Sequence, residues 1–174
     1  MCDAHGKCGT CSGNASVPGG GKVLNYNIRR NGFGIVYSFS ELPSFAYTAG
    51  IEENWRNPEL IIFGLDYDLS TLLITETANL IRGGASFTDQ IGHYRIGNIN
   101  VMFLEVPTKS AKQHLPETTS YYGEKEFRAL QMLWSDEQGR FPFDPKCSDE
   151  VKRIQPVLAE DKQPDQENPP DGQH

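Results

Sequence analysis

Four residues near the amino terminus have the types and spacing to hold a metal. Cys2, His5, Cys8 and Cys11 recur at every third position within MCDAHGKCGTCSGNASVPGGGK, residues 1–22. Thiolate and imidazole are donors that zinc prefers, and four of them close a tetrahedral shell. Four ligands in so short a run are denser than the usual pair of separated knuckles, so strain works against the set. Cys147 offers a fourth ligand in place of His5. Three clustered cysteines with one distant partner also resemble part of an iron–sulfur ligand run. A flexible thiol-bearing arm without metal and a disulfide are the other readings. Cys8-Gly-Thr-Cys11 has the form of a redox pair. That chemistry wants the first thiol at a helix N-terminus, and the Ser-Gly-Asn that follows supplies none. Gly19-Gly20-Gly21-Lys22 lacks the frame and the preceding strand of a phosphate loop, so it reads as linker and no nucleotide cofactor is indicated.

A second set could do acid–base work. His93 and His114 with Glu105, Tyr121 and Tyr122 supply acid, base and stabilising types, if the fold brings them to one cleft. Each also has a plain reading. A lone histidine beside loops is solvated, a carboxylate at a strand end faces water, and paired tyrosines at a helix end edge a core. Trp134, Asp136, Arg140 and Phe143 bracket a turn that Asp136 and Arg140 can close as an ion pair. Aromatic and arginine side chains are also frequent interface anchors.

The charge balance narrows the partners. Sixteen basic residues stand against 23 acidic ones, for a net charge of -7. Binding to a phosphate backbone rests on Lys and Arg displacing counterions, so nucleic acid is disfavoured. No apolar leader or run of transmembrane length is visible, which predicts a soluble cytoplasmic protein without membrane association. In that compartment cysteines are thiols or metal ligands rather than disulfides.

The elements that must position these residues centre on FAYTAGIEENWRNPELIIFGL, residues 45–65. It reads as strand, loop, strand: Phe45 to Ile51, then the apolar run Leu60 to Phe63 between Pro58 and Gly64. Phe33 to Phe39 is β-branched and aromatic and forms a first strand. Val23 to Arg30 fits a helix or an edge strand. After an N-cap at Asp66 or Asp68, Leu69, Leu72, Leu73, Leu80 and Ile81 repeat at helical spacing, with Thr77 a weaker member, until Gly83 and Gly84. Gln90 to Asn98 suggests a polar hairpin, and Ile99 to Val106 a strand ended by Pro107. Leu115 to Gly123 suits a short helix with Pro116 in its first turn. Glu126 to Trp134 is a strand by neighbourhood, although its composition equally allows helix. A short helix follows Cys147 towards Leu158, and the Pro-rich acidic end has little to bury.

Five blocks carry a family likeness: YTAG at 47–50, NPELIIFGL at 57–65, FLEVP at 103–107, YYG at 121–123 and FRALQMLWSDEQGRFPFDP at 127–145. In this order they resemble the bacterial family of domain of unknown function 4262, over residues 30–158. The resemblance implies an architecture and no established reaction. Members often carry cysteines near the amino terminus, in a paired spacing from which this chain departs. A remoter likeness of YTAGI and PELIIFGL to suppressor-of-fused-type domains implies partner binding.

The expected organisation is a flexible Cys-rich arm at 1–22, a single α+β domain at 23–158 and a disordered acidic tail at 159–174. The domain should be a largely antiparallel sheet of about five or six strands, packed by one main amphipathic helix and short helices. The expected function is that of an accessory, partner-binding protein whose arm takes zinc through Cys2, His5, Cys8 and Cys11. The rivals are a small enzyme with a cleft near His93, Glu105 and Tyr121, and a metal or redox sensor working through the arm.

Overall fold

In the computed structural model, residues 20–87 and 92–159 are described. The arm ligands Cys2, His5, Cys8 and Cys11, residues 90 and 91 of the hairpin and the end beyond 159 lie outside them.

Among the described residues six strands form one sheet: β1 (Gly34–Ser38), β2 (Phe45–Ala49), β3 (Glu59–Phe63), β4 (His93–Ile96), β5 (Ile99–Glu105) and β6 (Ala129–Trp134). Their spatial order is β1-β2-β3-β6-β5-β4. Every pair is antiparallel except the central one, in which β3 runs parallel to β6 with Ile61 opposite Gln131. The fold is α+β with a mixed sheet. The parallel pair arises because the chain leaves β3 through a long helix, lays down the β4–β5 hairpin at the far edge, and inserts β6 last. β3 and β6 are buried along nearly their whole length, as strands covered on both faces must be.

The helix after β3, α3 (Tyr67–Arg82), covers one face. Asp66 caps it by accepting the Leu69 N–H at 2.8 Å. Its buried residues are Ser70, Leu73, Ile74, Thr77, Ala78 and Ile81, packed on Leu60, Ile62, Leu130 and Met132. The apolar stripe expected from spacing was therefore off by part of a turn. Leu73, Thr77 and Ile81 face the sheet, but Leu72 is 54% exposed and Leu80 47% exposed. The true face runs through Ile74 and Ala78, and the small residues Ser70 and Ala78 let the helix approach closely.

Short helices cover the other face. α1 (Gly20–Asn31) buries Leu24 and Ile28 against Ala49, which resolves the Val23–Arg30 ambiguity as helix. It begins inside the glycine run read as linker. Glycines cost a helix about 1 kcal/mol each, but here they sit in the first turn, and the burial of Leu24 and Ile28 holds the element. α4 (Thr108–His114) and α5 (Pro116–Tyr122) bring Ala111, Leu115 and Tyr122 onto Phe45, Tyr47, Ile61 and Phe63. α4 was not expected, because TKSAKQH buries only Ala111 and so shows no apolar period. α2 (Ile51–Trp55) replaces the expected loop between β2 and β3. α6 (Asp149–Ile154) is the short helix expected after Cys147.

At the end of β6, Asp136 accepts the N–H groups of Gln138 and Arg140, each at 2.9 Å, and the Arg140 Nε at 3.0 Å. Burial works against its charge, but these donors prevail and hold its carboxyl below the usual range. Trp134 donates Nε1–H to the Phe63 carbonyl at 2.8 Å, tying the turn back to β3.

Candidate functional site

The most perturbed groups lie where β2, β3, α2 and α5 meet. Glu59 opens β3 and is completely buried. One carboxylate oxygen accepts the Gly50 N–H at 2.9 Å, the Glu52 N–H at 3.1 Å and the Tyr122 hydroxyl at 2.5 Å. The other accepts the Thr48 hydroxyl at 2.6 Å. Thr48 Oγ1 in turn accepts the Leu60 N–H at 2.9 Å, and Tyr122 the Glu53 N–H at 3.1 Å. Each hydroxyl is thereby left to donate to Glu59. The α2 N-cap is Gly50, whose conformation is left-handed and which has no side chain to cap with. Glu59 and Tyr122 do that work from other elements, taking amides that a helix start leaves unpaired.

Burial pushes the Glu59 carboxyl up, opposed by its four donors. Burial also raises the Tyr122 phenol, and the neighbouring Glu59 charge adds to it. Two more tyrosine–glutamate bonds extend the set: Tyr121 to Glu53 and Tyr47 to Glu117. Burial and Glu53 push Tyr121 up to about 12, and Tyr47 is raised by burial and Glu117. Phenols held this high are protonated donors at neutral pH, not bases. Glu59 has both oxygens engaged and no exposure, so an outside molecule cannot reach it. The set is a polar tie holding α2 and α5 to the sheet. On its outer side Arg128 grips Glu52 with two bonds at 3.0 and 3.1 Å and reaches the Arg56 carbonyl at 2.8 Å.

The acid–base set proposed from residue types does not assemble. His93 stands at the start of β4 opposite Met102, its ring 5.0 Å from that of Phe141. Glu105 is exposed three residues further along β5, roughly 10 Å away at strand rise. His114 closes α4, with Nδ1 2.9 Å from the Ser110 carbonyl. Tyr121 and Tyr122 engage Glu53 and Glu59 instead. An open depression of about 440 Å³ lies between α3 and the β4–β5 turn, lined by Glu76, Asn79, Leu80, Arg95, Ile96 and Gly97, and none of the expected residues borders it. Among the described residues no three of His, Cys, Asp or Glu gather as a metal set. Cys147 is buried with its thiol toward the Arg140 carbonyl at 3.5 Å, and burial pushes that thiol up.

Glu59 and Thr48 escaped the sequence reading. The available signal was a carboxylate flush against LIIF, on the strand side of Pro58.

Among the described residues, exposed apolar side chains gather around Tyr37, whereas Val23, Tyr26, Leu72, Leu80 and Phe143 are exposed elsewhere. Tyr37, on β1, anchors its hydroxyl to the Leu65 carbonyl at 2.9 Å. Phe39 and Tyr67 pack edge-on to its ring, at 4.9 and 5.6 Å. Phe39 is 76% exposed and Tyr67 54%, and Leu42 in the same β1–β2 loop is 96% exposed. Glu41, Asp66 and Asp68 are their chain neighbours.

The profile of a family described as domain of unknown function (DUF4262) matches residues 27–148. The chain belongs to that family. The match spans all six strands and the Glu59–Tyr122 tie, and it stops just before α6. Comparison with curated proteins and with solved structures gave no match. No helix among the described residues is long and apolar enough to cross a membrane.

Proposed function

We propose that this DUF4262 protein is a cytoplasmic accessory domain that binds a protein partner through the β1–β2 loop and the start of α3. What supports the reading is the exposure of Phe39, Leu42 and Tyr67 around the anchored Tyr37. Large apolar side chains grouped in solvent cost solubility and mark contact surfaces. Aromatic anchors held on a fixed scaffold lose little entropy on binding. Glu41, Asp66 and Asp68 beside them fit a partner whose apolar pocket is rimmed by lysine or arginine. In the same reading the arm residues Cys2, His5, Cys8 and Cys11 bind zinc as a separate accessory unit.

A photo-crosslinking residue at position 39, used in cells, should capture one protein that then binds the purified chain in a salt-sensitive way. A Phe39→Ser, Leu42→Ser variant should bind that protein at least roughly tenfold more weakly while its unfolding midpoint scarcely moves. Unchanged affinity in that variant, or no specific capture, would remove the basis for this reading.

A further inference from the structure

We propose that the sheet face beneath residues 155–158 is a groove for an extended peptide, held in cis by the chain's own Gln-Pro-Val-Leu segment and open to a second segment of that chemistry when this strap lifts.

Gln131 lies in the middle of β6, fully buried between Ile61 of β3 and Leu104 of β5. A side-chain amide there is costly unless both ends are paired. Its Nε2 donates to the Pro156 carbonyl at 2.7 Å, and its Oε1 accepts the Leu158 N–H at 2.8 Å. One side chain thus reads the backbone on both sides of Val157, as a neighbouring strand would. Gln155, also buried, makes the reciprocal contact. Its Oε1 accepts the Trp134 N–H at 3.0 Å and its Nε2 donates to the Trp134 carbonyl at 2.9 Å. Between these pairs Val157 packs with Met102, Leu133 and Phe141, and Leu158 joins the apolar group around Phe45 and Phe63.

This is the pattern of extended-peptide recognition: main-chain hydrogen bonds for affinity and apolar seats for selectivity. Pro156 suits its place because only its carbonyl is used. The strap belongs to neither a helix nor a strand, and α6, which leads into it, buries only Val151. The groove residues fall within the matched family region, and the strap lies beyond residue 148 where that match ends. Lifting the strap leaves Gln131 and the Trp134 backbone unpaired, so a replacement must bring the same groups: a glutamine, then a carbonyl without need of an N–H, then two aliphatic residues of which the second offers its N–H.

The test uses the full chain and a labelled synthetic peptide of residues 149–159. A Gln155→Ala, Val157→Asp variant expels the strap and should bind the peptide at least roughly tenfold more tightly than the wild type, whose groove is occupied. Adding Gln131→Leu should abolish that binding. A folded variant that binds no better than the wild type, or that takes a scrambled peptide equally, would overturn the proposal. Native-state hydrogen exchange on the wild type tests it without substitution. The Leu158 amide should exchange at least roughly tenfold faster than the Leu60 amide, because the strap opens without global unfolding. Equal protection of the two would also overturn it.

Discussion

The Tyr122 hydroxyl donates to Glu59 at 2.5 Å while accepting the Glu53 N–H at 3.1 Å, so one phenol joins α5, β3 and the first turn of α2. Removing it should loosen all three. Tyr122→Phe leaves a buried carboxylate short of a donor and a helix amide without an acceptor. We expect a loss of about 1–3 kcal/mol in urea unfolding. A loss below about 0.5 kcal/mol would mean that neither bond matters to the fold.

The same carboxyl makes stability depend on pH. Burial raises the Glu59 carboxyl in the folded state, so folding binds its proton more tightly than the unfolded chain does. Its contribution is full below the ordinary carboxyl range and is lost as pH rises through the raised value. Relative to Glu59→Gln, the wild type should therefore lose ground as pH rises from about 4 to 8. Urea midpoints of the two proteins across that window give the answer. A difference that grows with pH would show that the four donors outweigh burial.

Leu72 and Leu73 are neighbours in sequence and opposite in environment, at 54% and 2% exposed. Leu73→Ala should cost about 2–5 kcal/mol, through lost burial and the cavity left against the sheet. Leu72→Ala should stay within about 0.5 kcal/mol. Equal effects would show that the helical face is placed wrongly.

That pair also shows how much of the fold the sequence alone encodes. Breakers and apolar runs located β2, β3 and β5, where Pro58, Gly64 and Pro107 stop the chain, and β-branched and aromatic composition located β1, whereas β6 followed only from its neighbours because its composition equally allows helix. The helical face was harder. Leu72 and Leu80 carry the same hydropathy signal as Leu73, while Ser70 and Ala78, which make close packing possible, carry almost none. α2 and α4 were invisible for a related reason: each buries a single residue, so neither imprints a period. Gln131 and Gln155 could not be paired from sequence, since an amide looks the same whether it meets water or a backbone. The convergence of Thr48, Glu59 and Tyr122 depends on contacts spanning up to 63 residues, which no local pattern encodes.

Gly64 should resist substitution for two separable reasons. Its φ of +77° lies in the left-handed region, and a Cβ there would stand 2.6 Å from the Ile154 carbonyl oxygen. Gly84 has a φ of +101° with open space around its missing Cβ. Gly84→Ala therefore reports backbone strain alone, about 1–3 kcal/mol. Gly64→Ala should cost more and should also speed hydrogen exchange in α6, which the new methyl pushes aside. Equal costs with unchanged α6 protection would mean that the close approach at Ile154 is easily relieved.

The arm is expected to carry metal independently of the sheet. Cys2, His5, Cys8 and Cys11 are donors of the types zinc takes, and the segment around them has almost no apolar content to order it otherwise. Zinc binds the thiolate, so protons compete for the sulfurs and occupancy should fall as pH drops. The domain should keep its unfolding midpoint when metal is removed, because its core is built from residues after position 23. Protein purified without added metal should contain about one zinc per chain, and a Cys8→Ser, Cys11→Ser variant almost none. Loss of zinc on Cys147→Ser, with His5→Ala silent, would move the fourth ligand to Cys147. That outcome would require the buried thiol to leave the Arg140 carbonyl, so it should also lower the midpoint of the metal-free protein. Equal zinc content in the wild type and the double cysteine variant would remove the arm as a metal site altogether.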